Sequence, residues 1–171
     1  VWGTGGVFLA AYEDSVKNNP HLDRAQKQHL RSGAFTGWEI VENTARVCAM
    51  NMLLHGIETP ESDIPCHLDD ALRDDPGERF DLVLANPPFG KKSSVTIVNA
   101  EGKIDRQDMT VVREDFWAST SNKQLNFVQH MKTLLKIGGH CAVVVPDNVL
   151  FEGGAGETVR RKLMHECNVH T

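Results

Sequence analysis

A side-chain amide, two prolines and an aromatic ring stand together at Asn86 to Phe89, directly after the apolar run Phe80–Ala85. The amide oxygen of Asn86 and the main-chain carbonyl of Pro87 are suited to accept both hydrogens of an exocyclic amine on a flat base. Pro87 and Pro88 fix the backbone that carries these acceptors, and the ring of Phe89 is suited to stack on the base. A strand followed by an ordinary Pro-Pro turn is the competing interpretation.

A glycine-rich turn opens the chain at Gly3 to Gly6 (Gly-Thr-Gly-Gly), and Val7–Tyr12 then has the composition of a helix start. Glycine allows a tight turn and a close approach to a ligand, and the first amides of a helix point toward that ligand. The dinucleotide fingerprint requires a third glycine where Phe8 stands. A purely structural turn therefore remains open.

Acidic side chains follow two predicted strands. Glu39 ends the first of them, where a carboxylate is placed to accept hydrogen bonds from both hydroxyls of a ribose. Asp69 and Asp70 follow the second, where an aspartate is able to meet the amino group of an adenine ring. Either aspartate is also suited to cap a following helix, and a strand-end glutamate is often only solvated.

The elements that position these residues alternate between strand and helix patterns. Strands are predicted at Phe35–Ile40, Ile64–Leu68, Arg79–Ala85 and Cys141–Val145. Helices are predicted at Thr44–Leu54, at Leu125–Leu135, where Gly138-Gly139 closes the helix, and at Thr158–Cys167. A polar stretch at 13–31 has helical composition, and residues 91–120 are predicted to form a long loop. This alternation predicts an α/β fold with a mostly parallel sheet. Its near-continuously apolar strand at 79–85 is expected to be covered by helices on both faces. Ligands of such folds lie beyond the carboxyl ends of the strands.

The composition of the chain argues against several classes of protein. The chain has 171 residues, 40 per cent of them hydrophobic, and a formal net charge of −5. We expect one domain spanning residues 1–171, because no linker or repeat divides it. The acidic balance argues against a domain that holds nucleic acid alone by a large basic surface. No apolar run reaches the roughly 20 residues that span a bilayer, and the four scattered cysteines predict reduced thiols.

The order glycine turn, strand-end acid, strand-end acid and Asn-Pro-Pro-Phe resembles that of adenosyl-methionine-dependent amino methyltransferases. Nearly the whole chain is similar to the modification subunit of type I restriction-modification systems, a family of N6-adenine DNA methyltransferases. The typical segments are Thr120–Leu125 (Thr-Ser-Asn-Lys-Gln-Leu), Ala142–Gly154 and Ala45–Gly56. The resemblance implies a Rossmann-like methyltransferase fold, with a mostly parallel sheet and helices on both faces.

The resemblance also implies a role for each part of the motif series. Cofactor-binding residues would be Gly3, Thr4, Gly5 and Gly6 for the methionine part, Glu39 for the ribose, Asp70 and Ala71 for the adenine, and Asn86; the catalytic residues would be Asn86, Pro87, Pro88 and Phe89. Val7 is an additional residue after the glycines, and Asp69 stands where the family usually has glycine. The choice between Asp69 and Asp70 is therefore left open.

The implied activity is methyl transfer from S-adenosyl-L-methionine to N6 of an adenine flipped out of DNA. A specificity subunit and a restriction subunit would be the protein partners, without a metal or a membrane, in the cytoplasm. The chain begins with Val1 inside the glycine motif, without the Asp-Pro dipeptide that usually precedes it. We therefore expect a fragment that lacks the first and last strands and is inactive alone.

Two other functions share some of these features. An amino methyltransferase acting on protein glutamine or on RNA is the closer alternative, although Tyr often follows the prolines in such enzymes, whereas Phe89 stands here. A nicotinamide-dependent oxidoreductase shares the glycine turn and Glu39, but it leaves Asn86 to Phe89 without a role.

Overall fold

The computed structural model describes residues 3–57, 65–88, 94–98, 104–108 and 110–170. These residues form two compact units, Val1–Ala71 and Leu72–Thr171. Helices and strands alternate within them, and two of the three strand pairs in the described ranges are parallel. The prediction of an α/β fold with parallel pairing is confirmed, whereas a single domain over 1–171 stays a prediction.

Within its described residues, 3–57 and 65–71, the first unit contains three helices and two short strands. They are α1 (Gly6–Asn18), α2 (Arg24–Ser32), β1 (Gly37–Glu39), α3 (Glu42–Leu54) and β2 (Cys66–Leu68). Strands β1 and β2 pair in parallel, with Glu39 opposite Leu68. Two of the predicted acids, Glu39 and Asp69, therefore lie at the same carboxyl edge of this pair.

The core of the first unit joins α1 to α3. Phe8 from α1 is buried with Cys48 and Met52 from α3 and with Ile57. The ring of Phe35, just before β1, packs on Phe8 with the ring centroids 4.2 Å apart. Because Phe8 lies only two residues after Gly6, this packing fixes the position of the glycine turn relative to α3.

The second unit is organised by the parallel pair of its longest strands. Its elements are β3 (Phe80–Ala85), β4 (Ser94–Val98), β5 (Ile104–Asp108), α4 (Lys123–Leu134), β6 (Leu135–Val143), α5 (Asn148–Phe151) and α6 (Ala155–Glu166). Strands β3 and β6 pair in parallel, with Ala85 opposite Val143. Strands β4 and β5 form a separate antiparallel pair.

Helix α4 is the most buried element of this unit. Asn122 begins it as the N-cap, with its side-chain oxygen accepting the N–H groups of Gln124 and Leu125. The apolar positions Leu125, Val128 and Met131 recur at helical spacing and are buried, as predicted. The polar side chains between them are buried as well, so this helix is enclosed on more than one face.

Two sequence predictions were wrong in detail. Residues 91–120 were predicted as a loop, but the described parts include the pair β4–β5 and an isolated bridge between Val111 and Thr120. Gly138 and Gly139 lie inside β6 instead of after α4. A Cβ on Gly139 would lie 3.0 Å from the carbonyl oxygen of Phe80, where the pairing with β3 is irregular, so the glycine is required by close strand approach.

The strand β3 also differs from the expectation of cover on both faces. Val83 is buried, whereas Leu82 and Leu84 on the opposite face are 57% and 41% exposed. A continuous apolar run predicts a strand but does not determine how much of each face is covered.

Candidate functional site

The glycine turn has one packed side and one open side. Gly3 and Gly5 have positive φ angles of 57° and 85°, and Gly5 is the N-cap of α1. A Cβ on Gly5 would lie 2.7 Å from the Cε atom of Met52, so this glycine is required by contact with α3. Among the described residues, a Cβ on Gly3 or Gly6 would meet no atom within 4 Å, so that side of the turn has room for a ligand.

Glu39 is joined directly to this turn. Its Oε2 atom accepts a hydrogen bond of 3.0 Å from the backbone N–H of Gly3, and its Oε1 atom accepts one of 2.9 Å from Val41. The residue is only 4% exposed. Each carboxylate oxygen has a second lone pair, so hydroxyl groups of a ligand still have acceptors here. The structure therefore brings two of the predicted cofactor residues together.

Asn51 holds the remaining part of the turn. Its side-chain Nδ2 atom donates a hydrogen bond of 2.8 Å to the carbonyl oxygen of Thr4, from a position near the end of α3. This residue was not predicted. A polar side chain inside an otherwise apolar helical pattern is the signal that could have identified it.

The second acidic position lies beside the first in the β1–β2 pair. The backbone N–H of Asp69 donates a hydrogen bond of 3.1 Å to the carbonyl oxygen of Glu39. The carboxylate of Asp69 in turn accepts the N–H of Asp70 at 2.7 Å. Asp69 and Ala71 are half-buried and Asp70 is exposed. The Asp69 carboxylate thus takes part in the local turn, and the choice between the two acids stays open.

The Asn-Pro-Pro segment follows β3 at its carboxyl end, as predicted. Asn86 and Pro88 are exposed and Pro87 is buried. The N–H of Val144 donates a main-chain hydrogen bond of 3.1 Å to the carbonyl oxygen of Ala85, the residue just before Asn86. A buried proline next to an exposed amide gives the Asn86 side chain a fixed base and an accessible end. Phe89 lies outside the described residues.

The segment after β6 lies at the same edge of the β3–β6 pair. The short helix α5 is anchored from two sides, because Val149 is buried and Nη1 of Arg160 donates a 3.0 Å hydrogen bond to its carbonyl oxygen. The carboxylate of Glu152, which follows α5, accepts the side-chain N–H of Asn122. Asn122 and Glu152 were not predicted as supporting residues.

Buried amides of α4 hold the chain segment that precedes it. The Gln129 side chain accepts the N–H of Ala118 at 2.9 Å and donates to the carbonyl oxygen of the same residue at 3.0 Å. Asn126 donates to the carbonyl oxygen of Thr120 at 3.0 Å. These side chains pair with main-chain groups of Ala118 and Thr120 and join the segment before α4 to the helix.

An ionic pair from the segment before α4 lies against this helix. Arg113 forms two hydrogen bonds with the carboxylate of Asp115, at 3.0 and 2.7 Å, and Thr133 donates to that carboxylate at 2.6 Å. Burial alone would raise the pKa of Asp115, but the bonds from Arg113 and Thr133 outweigh it and lower that pKa. Burial and the nearby Arg113 charge lower the pKa of His130 to about 4.

Among residues 3–57, 65–88 and 110–170, no group of three His, Cys, Asp or Glu side chains is placed to hold a metal ion. No helix in the described part of the chain has the length and apolar character needed to cross a membrane.

Comparison with known proteins explains the order of these motifs. The profile of the family described as N-6 DNA Methylase matches residues 1–171. The chain belongs to the N-6 DNA methylase family. It is 39% identical over 176 residues to the type I restriction enzyme StySPI methylase subunit of Salmonella potsdam, and equally to the EcoKI methylase subunit of Escherichia coli strain K12. The predicted resemblance to type I modification subunits is confirmed.

Solved structures confirm the methyltransferase fold of this N-6 DNA methylase chain. The crystal structure of the EcoKI M protein superposes with a TM-score of 0.75 at 35% identity, covering 96% of this chain and 32% of that one. A second structure, from work on assembly and conformational transition of the type I R-M system, gives a TM-score of 0.72 at 30% identity, covering 94% of this chain and 30% of that one. The matched region covers 99% of this chain but only 30% of the length of each of the two curated relatives.

Proposed function

We propose that the protein containing this chain transfers a methyl group to N6 of adenine in DNA, as the modification subunit of a type I restriction-modification system. The observation that carries the proposal is the exposed Asn86 amide at the end of β3, in a chain that matches the N-6 DNA methylase family over all 171 residues.

The first unit would hold the cofactor, S-adenosyl-L-methionine, which supplies an activated methyl group when bound. The open side of the glycine turn, at Gly3, Thr4 and Gly6, would contact its methionine part, while Gly5 keeps the turn packed on α3. Glu39 would accept hydrogen bonds from the ribose hydroxyls. Asp70, with Ala71 beside it, would meet the adenine ring.

The second unit would hold the base to be methylated. The N6 lone pair of adenine is delocalised into the ring, so the amine is a poor nucleophile. Acceptance of its two N–H groups by the Asn86 side-chain oxygen and the Pro87 carbonyl would favour a pyramidal nitrogen and disperse its growing positive charge. Preplaced dipoles of this kind are worth about 10²–10³ in rate for each group removed.

The remaining parts of the proposal concern the whole protein. An adenine inside a duplex is not accessible, so the base would flip out at a cost of a few kcal/mol, and stacking on Phe89 would return about 1–3 kcal/mol. A specificity subunit would read the DNA sequence, and a restriction subunit would cleave it. With DNA as its substrate, the protein would act in the cytoplasm.

The test is a map of N6-methyladenine in DNA from cells with and without the full-length gene. We expect methylated adenines at a defined sequence only when the gene is present. Restoring the gene with Asn86→Ala should leave those adenines unmethylated while cofactor binding by the purified protein stays nearly intact. The exposed Asn168→Ala serves as the matched control and should methylate normally. Methylation by the Asn86→Ala protein at the wild-type level would refute the assignment, and DNA without the mark in every strain would favour a glutamine or RNA substrate.

A further inference from the structure

A stripe of positive charge runs along one face of α2. Arg24, Lys27 and Arg31 are spaced three and four residues apart, so their side chains leave the helix on the same face. All three are exposed, and together with Gln28 they line one open surface depression. With a rise of about 1.5 Å per residue, the stripe is about 10 Å long.

These charges are not neutralised by neighbouring acids. Within the described residues, Arg24, Lys27 and Arg31 form no ion pair, whereas arginines on other surface helices do, such as Arg46 with Glu42 and Arg161 with Glu157. The nearby Asp23 carboxylate is bonded to the N–H of Gln26 as part of a helix cap. In a chain of net charge −5, three adjacent cations without a counter-charge indicate a local anion-binding surface.

Helix α2 is not stabilised by buried side chains. It has nine residues, none of them buried, and Leu30 is its one half-buried side chain. Isolated helices shorter than about 12–15 residues are marginal in water. A complete capping box between Asp23 and Gln26 stabilises its first turn. Because a helix that is polar all round gains no stability from an apolar face, the cap supports α2 and its exposed basic face remains available to a ligand.

We propose that the basic stripe of α2 binds consecutive phosphates of one DNA strand. The proposal rests on the proposed function, which provides DNA as the substrate. A strand rises about 3.4 Å per nucleotide, so a stripe of about 10 Å matches about three steps along it. Contacts with phosphates position the DNA without reading its sequence, which is compatible with recognition by a separate subunit.

The experiment uses the full-length methyltransferase carrying Arg24→Gln, Lys27→Gln and Arg31→Gln together. The dissociation constant for a labelled duplex is measured by fluorescence anisotropy between about 50 and about 200 mM salt. Each lost phosphate contact lowers the slope of log K against log salt by about 0.9, so the triple variant should lose close to 3 from that slope. Affinity for specific and unrelated duplexes should fall by the same factor, at least about tenfold at the lower salt.

A charge-matched control separates this effect from a general loss of positive charge. Arg46→Gln, Arg73→Gln and Arg161→Gln together remove three exposed arginines that are paired with acids on their own surface. Their slope should stay at the wild-type value, since such exposed pairs are locally neutral. Arg24→Lys with Arg31→Lys keeps the stripe charged and should also retain the slope.

Several outcomes would overturn the proposal. An unchanged slope in the triple variant, with normal circular dichroism, refutes it. If that variant is misfolded, Lys27→Gln alone should lower the slope by about 0.9, and no change there refutes the proposal as well. If the triple variant no longer binds a partner subunit while its slope of log K against log salt for DNA stays unchanged, the stripe binds an acidic protein surface, and the proposal is refuted. The proposed function fails separately, when wild-type protein leaves adenine unmethylated.

Discussion

The backbone N–H of Gly3 donates a 3.0 Å hydrogen bond to Oε2 of Glu39, a residue 36 positions further along the chain. The other oxygen of the same carboxylate accepts the N–H of Val41, just before α3 begins. One buried side chain thus joins the glycine turn to the edge of the β1–β2 pair. The two predicted cofactor residues are held at a fixed spacing by the chain itself.

Glu39→Gln should weaken binding of S-adenosyl-L-methionine to the full-length protein by about 10- to 100-fold. Both carboxylate oxygens accept main-chain N–H groups, and glutamine has only one acceptor oxygen, so its amide nitrogen would face a donor. Hydrogen bonds to a charged acceptor are worth about 1.5–3 kcal/mol. Isothermal titration calorimetry measures the change. Glu42→Gln, at an exposed ion pair with Arg46, is the control and should bind normally. Wild-type affinity in Glu39→Gln would remove Glu39 from the cofactor site.

Gly5→Ala should destabilise the protein far more than Gly6→Ala does. The φ angle of Gly5 is 85°, and an added Cβ would lie 2.7 Å from Met52 and 2.9 Å from Cys48. Overpacking of this kind costs about 1–3 kcal/mol, in addition to about 1 kcal/mol for the left-handed backbone. A Cβ on Gly6 meets no atom within 4 Å. Urea unfolding of both variants gives the comparison, and equal midpoints would contradict the packed turn.

The sequence predicted the positions of the glycine turn and of the strand-end acids because these features follow simple local rules. Glycines before an apolar helical run predicted the turn, and acids directly after apolar runs predicted Glu39 and Asp69 at one strand edge. The bond between Gly3 and Glu39 depends on the pairing of β1 with β2, and this pairing joins residues about 30 positions apart. Local sequence patterns do not predict contacts between residues that are so far apart in the chain.

The predictions failed where tertiary contacts override local preference. Gly138-Gly139 is a normal signal for a helix end, but Gly139 is required by the carbonyl groups of β3 beside it. The region 91–120 has no clear apolar period, so its strand pair was not predicted. The Gln129 and Asn126 bonds to the segment before α4 were missed as well, because a buried amide resembles a surface amide in a sequence.

The contact between Asn122 and Glu152 can be tested by exchanging the donor and the acceptor. Asn122 caps α4 with its oxygen and donates its N–H to the carboxylate of Glu152. Asn122→Asp keeps the cap but sets two carboxylates against each other, so we expect a loss of about 1–3 kcal/mol in unfolding free energy. Adding Glu152→Gln should restore most of it, because the new amide donates to the new carboxylate.

Glu152→Gln alone is the control for this exchange. Its amide oxygen still accepts from Asn122, so it should unfold close to the wild-type midpoint. The four proteins form a double-mutant cycle in urea unfolding, and we expect a coupling energy of at least about 1 kcal/mol. Simple additivity of the two substitutions would show that Asn122 and Glu152 do not interact in solution.

His130 should make the full-length protein sensitive to mild acid. Burial first, and then the charge of Arg113, lower its pKa from 6.5 to about 4. The unfolded chain therefore binds a proton that the folded chain excludes. The stability that depends on neutral His130 is fully present above pH 6.5 and is lost as the pH falls from there toward 4. This gap corresponds to about 3 kcal/mol.

Nδ1 of His130 lies 3.2 Å from Nη1 of Arg113. His130→Gln should remove that loss of stability, since glutamine retains an acceptor for the Arg113 guanidinium and does not titrate. We expect the wild-type unfolding free energy to fall by about 3 kcal/mol more than that of the variant between about pH 7.5 and about pH 4. Asp115 does not affect this comparison. Its pKa is lowered in the folded protein, so the stability that its carboxylate contributes is lost only at a still lower pH. The exposed His165→Gln should follow the wild-type curve. Parallel curves for His130→Gln and wild type would show that His130 is not held neutral in the folded protein.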